Sequence, residues 1–148
     1  MKRLFKMVMI LSCSICLHAC ATSRLVVATG TNVSKYEYVV FGRESEGDRS
    51  LDDVVMMVQN EIANTRLKVV SASEGINLIA QGKSVLSPYI NVLSEKWDGG
   101  HTYITINFYD YNTNQSVIVI KSSGIGLTVS HDQQIAINSI KAKLLEVF

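Results

Sequence analysis

The chain has 148 residues, of which 47% are hydrophobic and 18% charged, and its formal net charge is +1. That is one domain's worth of polypeptide, and it lacks the basic excess that marks a nucleic-acid-binding surface. Its three cysteines are Cys13, Cys16 and Cys20, so the chain beyond residue 20 has no disulfide to make and must be held by its own core.

Lys2, Arg3 and Lys6 precede an apolar stretch, Met7 to Leu17, broken only by Ser12 and Ser14. This is the layout of a secretory signal, with residues 1–19 as the leader. The stretch is too short for a permanent span, since a hydrocarbon core of about 30 Å needs roughly 20 residues of helix. Cys13-x-x-Cys16 lies inside the leader without metal or redox context and reads as a chance spacing. Removing the leader takes Lys+Arg from 14 to 11 against 13 Asp+Glu, a net charge of −2. No polybasic stretch remains to add electrostatic membrane affinity.

The leader closes on Leu17-His18-Ala19-Cys20, which resembles the lipobox of bacterial lipoproteins, with His18 as the one departure. The resemblance implies a diacylglyceryl thioether on Cys20, cleavage just before it, and acylation of the new amine. Two or more acyl chains, at about 0.8 kcal/mol per buried methylene, anchor a protein stably to a membrane. Ordinary secretion with a free Cys20 is the alternative. Ala21 rather than Asp follows the cysteine; by analogy with lipoprotein sorting, this favours an outer-membrane lipoprotein facing the periplasm.

Residues 20–35 read as a lipidated tether, and residues 36–148 as a single domain. Tyr36 to Phe41 is aromatic and β-branched and stops at Gly42, which predicts a strand. Residues 43–49 form a charged loop. Ser50 with Asp53 approximates an N-cap, and Leu51, Val54, Val55, Val58 and Ile62 recur at helical spacing, predicting a helix over 51–65. Met56 and Met57 on it are packing filler rather than a soft metal site. A short strand over 66–71 and a brief helix over 74–81, capped by Ser73 and ended by Gly82, follow.

Tyr89 to Trp97 and His101 to Tyr109 read as two strands joined by the turn Asp98-Gly99-Gly100, with a third over 116–121; the three form an antiparallel meander. Ser130 and Gln133 match a capping box, and Ile137, Ile140, Leu144 and Val147 mark one face of a closing helix. No internal repeat is present. Two long amphipathic helices and about five strands predict an α+β, two-layer sandwich: a mainly antiparallel sheet with both helices on one face.

Alternation divides the second meander strand. Thr102, Ile104, Ile106 and Phe108 turn toward the helices, and Tyr103, Thr105, Asn107 and Tyr109 turn away. Tyr89, Asn91 and Leu93 extend the second face, with Trp97 near the turn. Tyrosine and tryptophan suit interfaces because they join a large apolar area to a polar tip. Tyr89, Trp97, Tyr103, Thr105 and Tyr109 are therefore the candidate partner-binding residues. A solvated face of good strand formers is the plainer reading of the same residues.

Catalytic patterns are weak. Gly124-Ile125-Gly126 lacks the third glycine of a dinucleotide loop, and there is no phosphate loop, Gly-x-Ser-x-Gly or His-Glu-x-x-His. His101 and His131 are not at paired ligand spacing, so no metal or other cofactor is expected. Asp110, between Tyr109 and Tyr111, is accounted for by turn formation, and Asp98 is a candidate only by elimination.

The body of the chain, about residues 36–148, resembles small periplasmic α+β lipoprotein domains of the penicillin-binding-protein activator and curli secretion types. The likeness is topological and carries over no functional residue. The expected role is a non-catalytic envelope interaction module, membrane-bound through Cys20, whose partner is another envelope protein. The alternatives are a glycan-modifying hydrolase using Asp98 or Asp110 and a carrier of a small apolar ligand held between sheet and helices.

Overall fold

The computed structural model describes residues 20–42, 49–97 and 100–148. The leader, the 43–48 loop, Asp98 and Gly99 lie outside the described residues, and so do the expectations that rest on them. Six strands form one sheet: β1 (Cys20–Val27), β2 (Tyr36–Val39), β3 (Lys68–Val69), β4 (Ser84–Ser94), β5 (Thr102–Asp110) and β6 (Ser116–Ile125). The helices are α1 (Asp52–Ala63), α2 (Ala72–Ala80) and α3 (Val129–Val147). Spatial order is β1-β6-β5-β4-β2-β3. β4, β5 and β6 form the predicted antiparallel meander, and β1 pairs antiparallel with β6. β2 runs parallel to both β3 and β4, because α1 and then α2 return the chain to its starting end as crossovers.

The α+β two-layer architecture stands as expected. α1 contributes Val54, Val58 and Ile62, and α3 contributes Ala136, Ile137, Ile140 and Leu144, to a core shared with Leu86, Ile90, Ile104, Ile106, Phe108, Ile118 and Ile120. Ile104, Ile106, Phe108, Ile118 and Ile120 are all fully buried, so side chains fill the space between sheet and helices. Lys141 ties α3 to Glu61 of α1 at 3.3 Å. Phe148 closes the end of this layer edge-on to Phe108, with ring centroids 5.3 Å apart.

Several boundaries differ from the sequence reading. The segment read as a tether from residue 20 is, through Val27, strand β1, in register with β6 from Cys20↔Ile125 to Val27↔Ile118. β6 runs on to Ile125 because α3 presses against its last residues: the Ser122 hydroxyl donates to the Ala136 carbonyl at 2.7 Å, and a Cβ on Gly124 would run into the α3 backbone. β4 begins at Ser84 and passes through Pro88. β2 meets β4 only as far as Leu86, whose carbonyl accepts from Val40; the next donor on that side would be residue 88, and as proline it has no amide, so the ladder stops there.

Helix starts shift as well. α3 is capped by Thr128, whose hydroxyl accepts from the His131 amide, and not by the Ser130–Gln133 box. Asp132 explains this: it is fully buried and accepts from the Gly126 amide, which fixes the helix start against the end of β6. α2 is capped by Ser71, which accepts from Glu74, rather than by Ser73. α1 is entered through a 3₁₀ turn over Arg49–Leu51, and Leu51 stands at its N-cap position.

Candidate functional site

The face of the sheet opposite α1 and α3 carries the residues that alternation turned outward. Strand register sets them in rows. Thr22, Ser123, Tyr103 and Leu93 lie side by side across β1, β6, β5 and β4. Arg24, Lys121, Thr105 and Asn91 form the next row, and Val26, Val119, Asn107 and Tyr89 the one after. Tyr109 pairs with Ser87 beyond them. At that far end α2 covers part of the face, where Gly75 packs against Val40 and Tyr111. A Cβ there would come within 2.6 Å of Val40, so only glycine admits this approach.

Elsewhere on this face large side chains meet solvent. Leu93 is 62% exposed, Val26 52% and Tyr103 41%, whereas the facing layer is closed. Tyr103 stacks on His101, with ring centroids 5.6 Å apart and planes within 10°. Thr22 and Ser123 hydroxyls bond each other at 2.7 Å. With Arg24, Tyr103 and Lys121 they line a shallow depression of about 380 Å³. Arg24 and Lys121 are cross-strand partners, an arrangement of like charges that costs stability, and no ion pair reaches either one among the described residues.

The five candidate residues are not equivalent. Tyr103 and Thr105 stand in the open rows. Tyr89 is half-buried beside Asn107. The Tyr109 hydroxyl accepts from Asn107 Nδ2 at 2.8 Å, and Asn107 Oδ1 accepts from Ser116 at 2.6 Å, so Tyr109 belongs to a fixed local network. Trp97 lies off the sheet in the β4–β5 connection, 58% exposed. The exposed cation pair Arg24/Lys121 was missed by the sequence reading. Its signal is the register of β1 on β6, which no local pattern discloses.

The acidic candidate Asp110 is wholly engaged. Its Oδ2 accepts from the Tyr36 hydroxyl at 2.8 Å, its Oδ1 accepts from the Asn112 and Thr113 amides at 3.1 Å each, and Lys35 stands 3.8 Å away. Burial pushes its pKa upward, but the bonds from Thr113, Tyr36 and Asn112 and the charge of Lys35 outweigh that and hold it below the ordinary carboxylate range. Burial and the same carboxylate raise the Tyr36 hydroxyl well above its usual value. An ionised, fully bonded carboxylate is a turn anchor, the opposite of a proton donor poised near neutrality. Among the described residues no group of three or more His, Cys, Asp and Glu could hold a metal ion. His101 is tied to Glu95 at 3.2 Å, and His131 sits in the first turn of α3.

The fold resembles that of PelC. A point variant of the PelC dodecamer from Paraburkholderia phytofirmans superposes with a TM-score of 0.56 at 15% identity, over 86% of this chain and 98% of that one. The PelC dodecamer from the same organism in a second crystal form gives 0.55 at 13% identity, over 86% and 97%. No protein-family model matches the chain, and no curated protein matches it by sequence. At this identity PelC speaks to the architecture of the chain and to nothing finer.

Proposed function

We propose that this chain is a non-catalytic module of the bacterial envelope, anchored by lipid on Cys20 in the outer membrane and facing the periplasm, which docks another envelope protein through the open face of its sheet. The observation that carries the reading is the asymmetry of the two faces. One is sealed by α1 and α3 over fully buried side chains, while the other presents Leu93, Tyr103, Val26 and the Arg24/Lys121 pair to solvent. Exposed aromatic and apolar side chains gathered on one face and bordered by charge suit an interaction surface. The secretory leader and the lipobox-like Leu17-His18-Ala19-Cys20 support an envelope role, and the engaged state of Asp110 argues against the hydrolase alternative. The filled layer between sheet and helices argues against the carrier alternative.

The test is co-purification from detergent-solubilised membranes with Thr105→Arg, which sets a guanidinium in the middle of the open face and leaves the core untouched. A partner retained by the parent chain and lost by the variant, with unchanged circular dichroism, supports docking there; a partner retained by both refutes this face. A second reading, assembly of the chain with copies of itself, is favoured by the dodecameric state of PelC and by β1, an eight-residue edge strand with one ladder side unpaired among the described residues. Native mass spectrometry of the purified chain separates the two: a closed set of identical subunits supports self-assembly, and a monomer refutes it.

A further inference from the structure

Cys20 is the first residue of β1 and is paired with Ile125, so no spacer separates it from the sheet. Whatever holds Cys20 at a membrane therefore also fixes which end of the domain faces that membrane. The neighbouring row runs Ala21–Gly124–Thr102–Ser94, and with strands about 4.8 Å apart it is roughly 14 Å wide. Three chain segments project from this end: Cys20 itself, the β4–β5 connection, and the loop from β6 to α3.

Each of the latter two carries an exposed large apolar side chain. Trp97 is 58% exposed in the first, and Leu127 is 60% exposed in the second. Described residues of both segments are bonded back to the domain. Glu95 accepts from the amide of His101 at 3.0 Å and lies 3.2 Å from its ring, while the Gly100 amide donates to the Trp97 carbonyl at 3.0 Å. Gly126 donates to the buried Asp132, and Leu127 to the His131 ring at 3.4 Å. Glu95 is thus turned back onto the domain rather than outward.

We propose that this end of the domain, formed by Trp97 and Leu127 around Cys20, is a membrane-contacting rim that lies in the lipid interface beside the anchor. The occupant is a bilayer surface, because the apolar leader ends at this edge and the acyl chains of a lipidated Cys20 would emerge from it. Tryptophan and tyrosine are suited to that depth, where the ring meets acyl chain and the polar tip meets headgroup. The rim orients the domain so that its open sheet face stands across the membrane plane, accessible from the side.

The inference rests on the reading of Cys20 as the lipid anchor. Trp97 is the only tryptophan in the chain, so it reports on the rim without labelling. The full chain is expressed in a bacterial host, purified from its membranes and reconstituted into phosphatidylcholine–phosphatidylglycerol vesicles, and its N-terminus is weighed by mass spectrometry. The rim predicts a blue-shifted Trp97 emission, protection from iodide, and stronger quenching by lipids brominated near the glycerol backbone than near the chain ends. Leu127→Asp is expected to reduce that quenching while leaving the acylated chain bound. An acylated chain whose Trp97 stays red-shifted and open to iodide overturns the rim and leaves the anchor standing. An unmodified Cys20 overturns the anchor and this inference with it.

Discussion

Replacing Asp110 with alanine tests whether this acid is a structural anchor or a spare catalytic group. The side chain accepts three hydrogen bonds, from the Tyr36 hydroxyl and the Asn112 and Thr113 amides. Tyr36 is 1% exposed, so its hydroxyl cannot turn to water when the partner is removed, and an orphaned buried donor costs about 1–3 kcal/mol. The two amides lie at an open turn and regain water, costing about 0.5–1 kcal/mol each. The sum is a loss of about 2–5 kcal/mol, read by urea unfolding at pH 7. Tyr36→Phe removes the orphan, so the double variant should be more stable than the sum of the two single losses predicts. The sign of the pH dependence follows from the lowered pKa of Asp110. Its contribution is complete above the unfolded carboxylate value of about 4 and is lost as pH falls through the lower folded value, and Asp110→Ala should flatten that acid limb. Stability within about 0.5 kcal/mol of the parent, with an unchanged acid limb, would refute the reasoning.

Other expectations are specific to single positions. Gly124→Ala should be strongly destabilising, by about 1–3 kcal/mol or more on thermal or urea unfolding, since the new Cβ meets the Asp132 carbonyl and lies 2.7 Å from the Ala136 amide. Gly42→Ala, with nothing within 4 Å of the new atom, should change stability by no more than about 0.5 kcal/mol in the same assay. Ile106→Ala opens a cavity in the fully buried centre of the sheet and should cost about 2–5 kcal/mol. Tyr103→Ser should leave the urea midpoint almost unchanged, because Tyr103 contributes nothing to the sealed face.

How much of this fold was legible depended on how local its causes are. The meander could be read because Thr102, Ile104, Ile106 and Phe108 alternate cleanly with polar or aromatic neighbours, and α3 because Ile137, Ile140 and Leu144 return at helical spacing. β1 could not be read that way. Only Leu25 of its eight residues is even half-buried, and the strand exists because it completes the edge of β6 rather than because it buries a face of its own. Residues 122–124 fell outside the predicted strand for the opposite reason. Ser122 and Gly124 are small because α3 lies directly on them, and the small side chains erased the alternation that would have marked a strand. The start of α3 was set by Asp132 reaching back to Gly126, a tertiary contact that outranks the Ser130–Gln133 pattern. The face carrying Tyr103 and Thr105 was visible from alternation alone, but the Arg24/Lys121 pair depends on a register between strands nearly a hundred residues apart and was not.

The central claim is that the open sheet face docks a partner and the helical face does not. Its most direct test is photo-crosslinking in intact cells from a probe at Asn91, exposed in the middle of the open face, with a probe at Asn60, exposed on α1, as control. The account predicts a discrete crosslinked band from Asn91 that is absent from Asn60 and disappears in Thr105→Arg. A band of equal strength from Asn60, or one from Asn91 that survives Thr105→Arg, would contradict it.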